Sequence, residues 1–155
     1  MKKILILFTL FCTLPAIAQQ RDSRIREYLS PTRIVWQQHG ELIQDAANLL
    51  LPGNGQAGLV DRTICKMTST KQKHPAILFD FGKELQGGIQ LVTGGFPVHR
   101  PISVRIRLGE SVSEAMCEID GKNGASNDHA MRDCIVSLPW MGVMEIGNSG
   151  FRFAR

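Results

Sequence analysis

The stretch ILFDFGKELQGGIQLVTG, residues 77–94, decides the fold. Ile77, Phe79 and Phe81 alternate with Leu78 and Asp80, which is the period-of-two signature of a strand with one apolar face. Gly82 and the Gly87-Gly88 pair punctuate the run. Ile89, Leu91 and Thr93 then resume the alternation, so the stretch is expected to be one β-hairpin. Working outward, the clearest strand follows a Gly- and Pro-rich loop at 94–101. Ile102, Val104, Ile106 and Leu108 point one way, and Ser103, Arg105 and Arg107 the other, which predicts one face on a core and one face wetted.

Shorter runs complete the pattern. Thr32–Gln37 is expected as a strand with Ile34 and Trp36 on one face, after the helix-breaking Ser30-Pro31. Further strands are expected at Leu59–Thr68, Ile135–Pro139, Val143–Ile146 and Gly150–Arg155. Between Glu41 and Leu51, the apolar residues Leu42, Ala46, Leu49 and Leu50 fall at helical spacing, so a short amphipathic helix ending at Pro52-Gly53 is expected. Glu114–Met116 suits a helical turn. Seven or eight short strands with regular turn signals predict an all-β, antiparallel β-sandwich with one short helix.

Residues 1–18 carry the marks of a secretory signal peptide: Lys2 and Lys3, the apolar run Ile4–Leu14, and Ala16-Ile17-Ala18 as a small-x-small cleavage site. Export to the periplasm or beyond the cell is therefore expected, with no membrane attachment after cleavage. Cys12 is poorly placed as a lipid acceptor because Phe11 precedes it. Removing 18 of the 155 residues leaves 137, enough for one domain with a real core. The expected division is residues 19–58 as an extended lead-in with the first strand and the helix, then 59–155 as the sandwich, with the last strand truncated and open to edge pairing. The formal charge of +4 falls to about +2 without the two leader lysines, and no Lys/Arg run remains, which argues against nucleic acid as a partner.

Cys65, Cys117 and Cys134 remain. None has CxxC spacing, so a zinc site is not indicated. They read as small buried hydrophobes, with a Cys117–Cys134 bridge or a Cys/His pair with His129 as the alternatives.

Several stretches together resemble the β-sandwich that precedes the catalytic barrel of bacterial alpha-L-rhamnosidases. These are YLSPTRIVWQ at 28–37, DFGKELQGGIQL at 80–91, LGESVSEAM at 108–116, NDHAMRD at 127–133 and SLPWMGVMEIGNSGFRF at 137–153. Their order and spacing carry the resemblance, which spans nearly all of the chain after the leader. It implies a concanavalin-like or jelly-roll sandwich. It also implies a secreted glycoside hydrolase acting on terminal alpha-L-rhamnose, with an (α/α)6 barrel and rhamnose-containing glycans as partners. The family's catalytic acids lie in the barrel, and no position here matches them. The chain is therefore expected to be a non-catalytic accessory domain, inactive alone.

The polar insertion Gly109–Asp133 is the natural place for function, because loops held by a rigid scaffold carry it. Glu110, Asn127, Asp128, His129 and Arg132 bring hydrogen-bonding groups suited to sugar hydroxyls or to a neighbouring domain, or to capping turns within the loop itself. Trp140 offers a stacking face to a sugar or an aromatic at the rim of the core, and Trp36 the same choice. The alternative function is a free-standing carbohydrate-binding module. No cofactor is indicated beyond calcium, for which Asp120, Asn123, Asn127 and Asp128 supply oxygens without a recognisable spacing. A self-contained hydrolase would have to use Glu110, Glu114 or Asp128, the clustered carboxylates.

Overall fold

Two long strands with glycine breaks organise the molecule. In the computed structural model, which describes residues 25–53, 57, 63–95, 101–118 and 132–155, the stretch expected to be a hairpin is one strand of 18 residues. The strands are β1 (Arg33–Gln38), β2 (Ile43–Gln44), β3 (Lys66–Met67), β4 (Ala76–Thr93), β5 (Ile102–Gly109), β6 (Asp133–Leu138) and β7 (Gly142–Ala154). The one α-helix, α1, spans Val112–Met116. Five strands form a sheet in the order β1-β4-β7-β5-β6, and β2 pairs with β3 apart from it. All pairings are antiparallel. The all-β, sandwich-like fold with one short helix is thus the observed one.

The hairpin fails because β4 has a better partner than itself. The 13-residue β7 pairs with both halves of β4, from Phe79↔Ala154 to Thr93↔Gly142. The glycines that signal a turn instead absorb two register shifts, between Asp80 and Leu85 and between Gly87 and Ile89. Gly82 sits at φ +79° and Gly147 at +94°, conformations that other residues rarely take. At Gly88 the backbone of Ile146 and Gly147 comes so close that a Cβ would lie 2.4 Å and 2.6 Å from their carbonyl oxygens. For the same reason the two strands expected at 143–146 and 150–155 are a single strand. It lies between β4 and β5, so the expected edge at the last strand is corrected: among the described residues the sheet's edges are β1 and β6.

β5 touches β7 only near its end, at Leu108↔Ala154 and Gly109↔Phe153, while it pairs with β6 along its length. The β5–β6 pair therefore lays its apolar face over the β4–β7 ribbon. Val104, Ile106, Leu108, Cys134 and Val136 meet Phe81, Leu85, Ile89, Leu91, Met144, Ile146, Phe151 and Ala154 in one cluster. The Phe81 and Phe151 rings meet edge to face, with centroids 5.5 Å apart. A second cluster, Leu78, Phe153 and Ala115 with Trp36 and Met116, joins α1 to β1, β4 and β7.

The helix expected at 41–51 is not formed. Residues 40–42 and 46–50 are separate 3₁₀ turns, and Ile43-Gln44 pairs with β3 between them. Both turns start from left-handed residues, His39 at φ 51° and Asp45 at 55°, and neither buries a residue. Without an apolar face to pack, helical spacing alone does not hold five residues in an α-helix. Of the strand expected at 59–68, Lys66–Met67 is observed, and part of the rest lies outside the described residues.

The close approach at Gly88 gives a direct test. Gly88→Ala should lower the urea midpoint sharply, by about 3 kcal/mol of stability, because backbone rather than a side-chain tip must move. Gly87→Ala, whose Cβ meets nothing within 4 Å, should stay close to the parent. Equal effects of the two would show that the strands do not approach in this way.

Candidate functional site

Two ion-pair networks lie among the described residues, one at each side of β7. The first centres on Asp80, which is 1% exposed. Its Oδ1 accepts from Arg152 Nε at 2.8 Å and from the Gly82 backbone N–H at 2.7 Å. Its Oδ2 accepts from Arg33 Nε and Nη2 at 3.0 and 2.9 Å and from Arg152 Nη2 at 3.0 Å. The Asp80 carbonyl accepts from the Thr32 backbone N–H and hydroxyl, each at 2.8 Å. The Arg152 pairing, ahead of the penalty of burial, holds the Asp80 carboxyl far below the usual carboxylate range. Asp80-Phe81-Gly82 is therefore a structural junction. The aspartate folds back on the glycine two residues on, and ties β1 and β7 to β4.

The second network lies where the 110–132 connection leaves the sheet. Ser111 caps α1 by accepting from the Glu114 N–H at 3.2 Å. Glu114 Oε2 accepts from the Glu110 N–H at 2.8 Å and pairs with Arg132 Nη2 at 3.0 Å. Gly109 lets this turn close on the strand, since a Cβ there would lie 2.7 Å from the Ala115 nitrogen. Beside it, Arg107 Nη2 pairs with Glu118 at 2.6 Å and donates from Nη1 to the Met116 carbonyl at 3.4 Å. Arg107 Nε lies 3.3 Å from Asp133 Oδ2 without hydrogen-bond geometry. Arg105 grips the same Asp133 with two bonds of 2.7 and 2.6 Å. Burial pulls the Asp133 carboxyl up, but Arg105 and Arg107 together hold it below its ordinary value. The Arg107 pairing, with Arg105 behind it, lowers Glu118 in the same direction.

This corrects the expected wetted face of β5. Arg105 is exposed, but Arg107 is 4% exposed, because the α1 segment and Glu118 fold over it. Of the expected site residues, Glu110, through its backbone N–H, and Arg132, through its guanidinium, both meet Glu114. Asn127, Asp128 and His129 lie outside the described residues, as do the calcium candidates Asp120 and Asn123. Trp140 is at the other end of β5–β6, following Leu138, which pairs with Ile102, whereas Arg132 adjoins the Arg107↔Asp133 end. At ~3.3 Å per residue the two ends are about 20 Å apart, so Trp140 does not share a site with Glu110 and Arg132. Trp140 is 58% exposed and packs over Gly95, where a Cβ would come within 3.3 Å of its ring. Trp36 belongs to the second apolar cluster, and Arg155 lies over its ring at 5.2 Å.

The chemistry this arrangement shows is ionic scaffolding. A glycosidase of the inverting kind needs a carboxylic acid with a raised pKa opposite a carboxylate base. Glu41, Asp80, Glu118, Asp133 and Glu145 all shift downward. Among the described residues no group of three or more His, Cys, Asp and Glu side chains is placed to hold a metal ion. The three cysteines are free, so the Cys117–Cys134 bridge is not made. Burial pushes the Cys65 and Cys134 thiols up, away from nucleophilic character. No helix among the described residues is long and apolar enough to cross a membrane. No protein-family model, curated protein or solved structure matches the chain.

The depressed carboxylates fix an acid limit. Asp80 and Asp133 have folded pKa values below their unfolded ones, so their contribution is complete above the unfolded value of about 3.9 and is lost as pH falls below it. The urea midpoint should be level from neutrality to about pH 5 and drop steeply below about pH 4, and Asp133→Asn should soften that drop. An unchanged midpoint down to about pH 3 would mean that these pairs do not hold the fold.

Proposed function

We propose that this chain is the non-catalytic accessory β-domain of a secreted alpha-L-rhamnosidase, a glycoside hydrolase acting on terminal alpha-L-rhamnose, and that it packs against a catalytic barrel. The sequence resemblance supplies the family. The observation that carries the accessory role is the exposed apolar end of the β4–β7 ribbon. Trp140, Met141 and Val143 are exposed there, with Val92 paired opposite Val143. A contiguous apolar strip of this kind suits a surface that another domain covers. The downward-shifted, arginine-paired carboxylates support the same reading, because they serve as scaffold.

The test is an antibody pull-down of the natural secreted product, followed by intact mass and hydrolysis of an aryl alpha-L-rhamnoside. A mass well above the 17.2 kDa of this chain, with rhamnosidase activity in the same species, is expected. The chain alone should hydrolyse nothing. A product no larger than this chain, without activity, would overturn the proposal and favour a free-standing sugar-binding module.

A further inference from the structure

Arg155 is a cation with no carboxylate paired to it among the described residues. Its guanidinium lies 5.2 Å from the Trp36 ring centroid and donates from Nη2 to Gln38 Oε1 at 3.4 Å. It forms no ion pair with a carboxylate among the described residues, although it is partly buried. Its backbone is fixed, since Arg155 and Arg107 exchange N–H···O bonds of 2.8 and 2.9 Å. Arg105, Arg107 and Arg155 share the field of Asp133 and Glu118, and both carboxylates are engaged by Arg105 and Arg107. Burial, then the neighbouring Arg107, disfavours the charged form of Arg155. A guanidinium that is partly desolvated and stacked on an indole presents a planar fork suited to a carboxylate. Burying such a charge without an anion is unfavourable.

We propose that the Trp36–Gln38–Arg155 corner is a carboxylate-binding subsite, with Trp36 as its floor, Arg155 as the charged fork and Gln38 as a second polar contact. The ligand class is a small soluble carboxylate, either a bare acid or a carboxylate carried on a sugar ring. The subsite goes beyond the rhamnosidase reading and does not depend on it.

The test follows the Trp36 indole N–H and Arg155 Nε–H resonances of the full chain at pH 7 and constant ionic strength. Sodium acetate and sodium D-glucuronate are the probes, and sodium chloride and D-glucose are the controls. Saturable shifts with the carboxylates alone are expected. Tighter binding of glucuronate would mark a sugar acid as the ligand, and equal binding a bare carboxylate. Arg155→Gln should weaken binding at least about tenfold, the loss of one charge-assisted contact, while the distant Arg26→Gln should not. If Arg155→Gln does not fold, Gln38→Leu serves in its place and should weaken binding about threefold or more. No saturable shift at about 0.1 M probe, shifts equal to those in chloride, or unaltered affinity in the corner variants would overturn the proposal.

Discussion

A single buried carboxylate, Asp80, carries the constraint on which the sheet depends. It faces two arginines from two strands, Arg33 on β1 and Arg152 on β7, and the backbone of Gly82 on its own strand. Both arginines keep part of their side chains in water, so only the carboxylate bears the full desolvation penalty. Five donors within 3.0 Å offset that penalty. The junction also sets where β4 can bulge. The Asp80 side chain holds Gly82 in its left-handed conformation, and Thr32 closes over it, within 3.1 Å of where a Cβ would stand. Leu78 before the bulge, and Leu85 and Ile89 beyond it, are thereby presented to different neighbours.

The sequence made the strand content plain because alternation is a local signal. Ile102 to Leu108 shows its core face in four residues, and the helical turn expected at Glu114–Met116 falls within α1. What the sequence could not show depends on pairing. Gly87-Gly88 has the composition of a turn. Only the length of β7 and its fit to both halves of β4 turns it into a close crossing of two backbones. Arg107 has the position of a solvent-facing residue by alternation. It is buried because the register places Asp133 opposite it and the connection brings Glu118 over it. A helical spacing at 41–51 misled for the same reason: without a core to bury that face, the Leu and Ala residues settle into 3₁₀ turns.

The candidate site was legible only in outline. Glu110 and Arg132 both meet Glu114, the first through its backbone N–H and the second through its guanidinium. Trp140 belongs to the other end of the hairpin, where its neighbours are apolar. The two ends thus differ in kind, one ionic and one apolar. The Arg155 corner had no sequence signal at all. It arises because the end of β7 runs beside both Arg107 and Trp36.

Asp80 binds three parts of the chain through its charge. The most direct measurement is urea unfolding of Asp80→Asn, Arg152→Gln and the double variant at pH 7. Asp80→Asn keeps the shape and removes the charge, and should cost about 3 kcal/mol, as for a buried carboxylate that loses charged hydrogen bonds. The account predicts strong non-additivity, with the double variant little worse than Asp80→Asn alone. A small loss in Asp80→Asn, or losses that simply add, would contradict it.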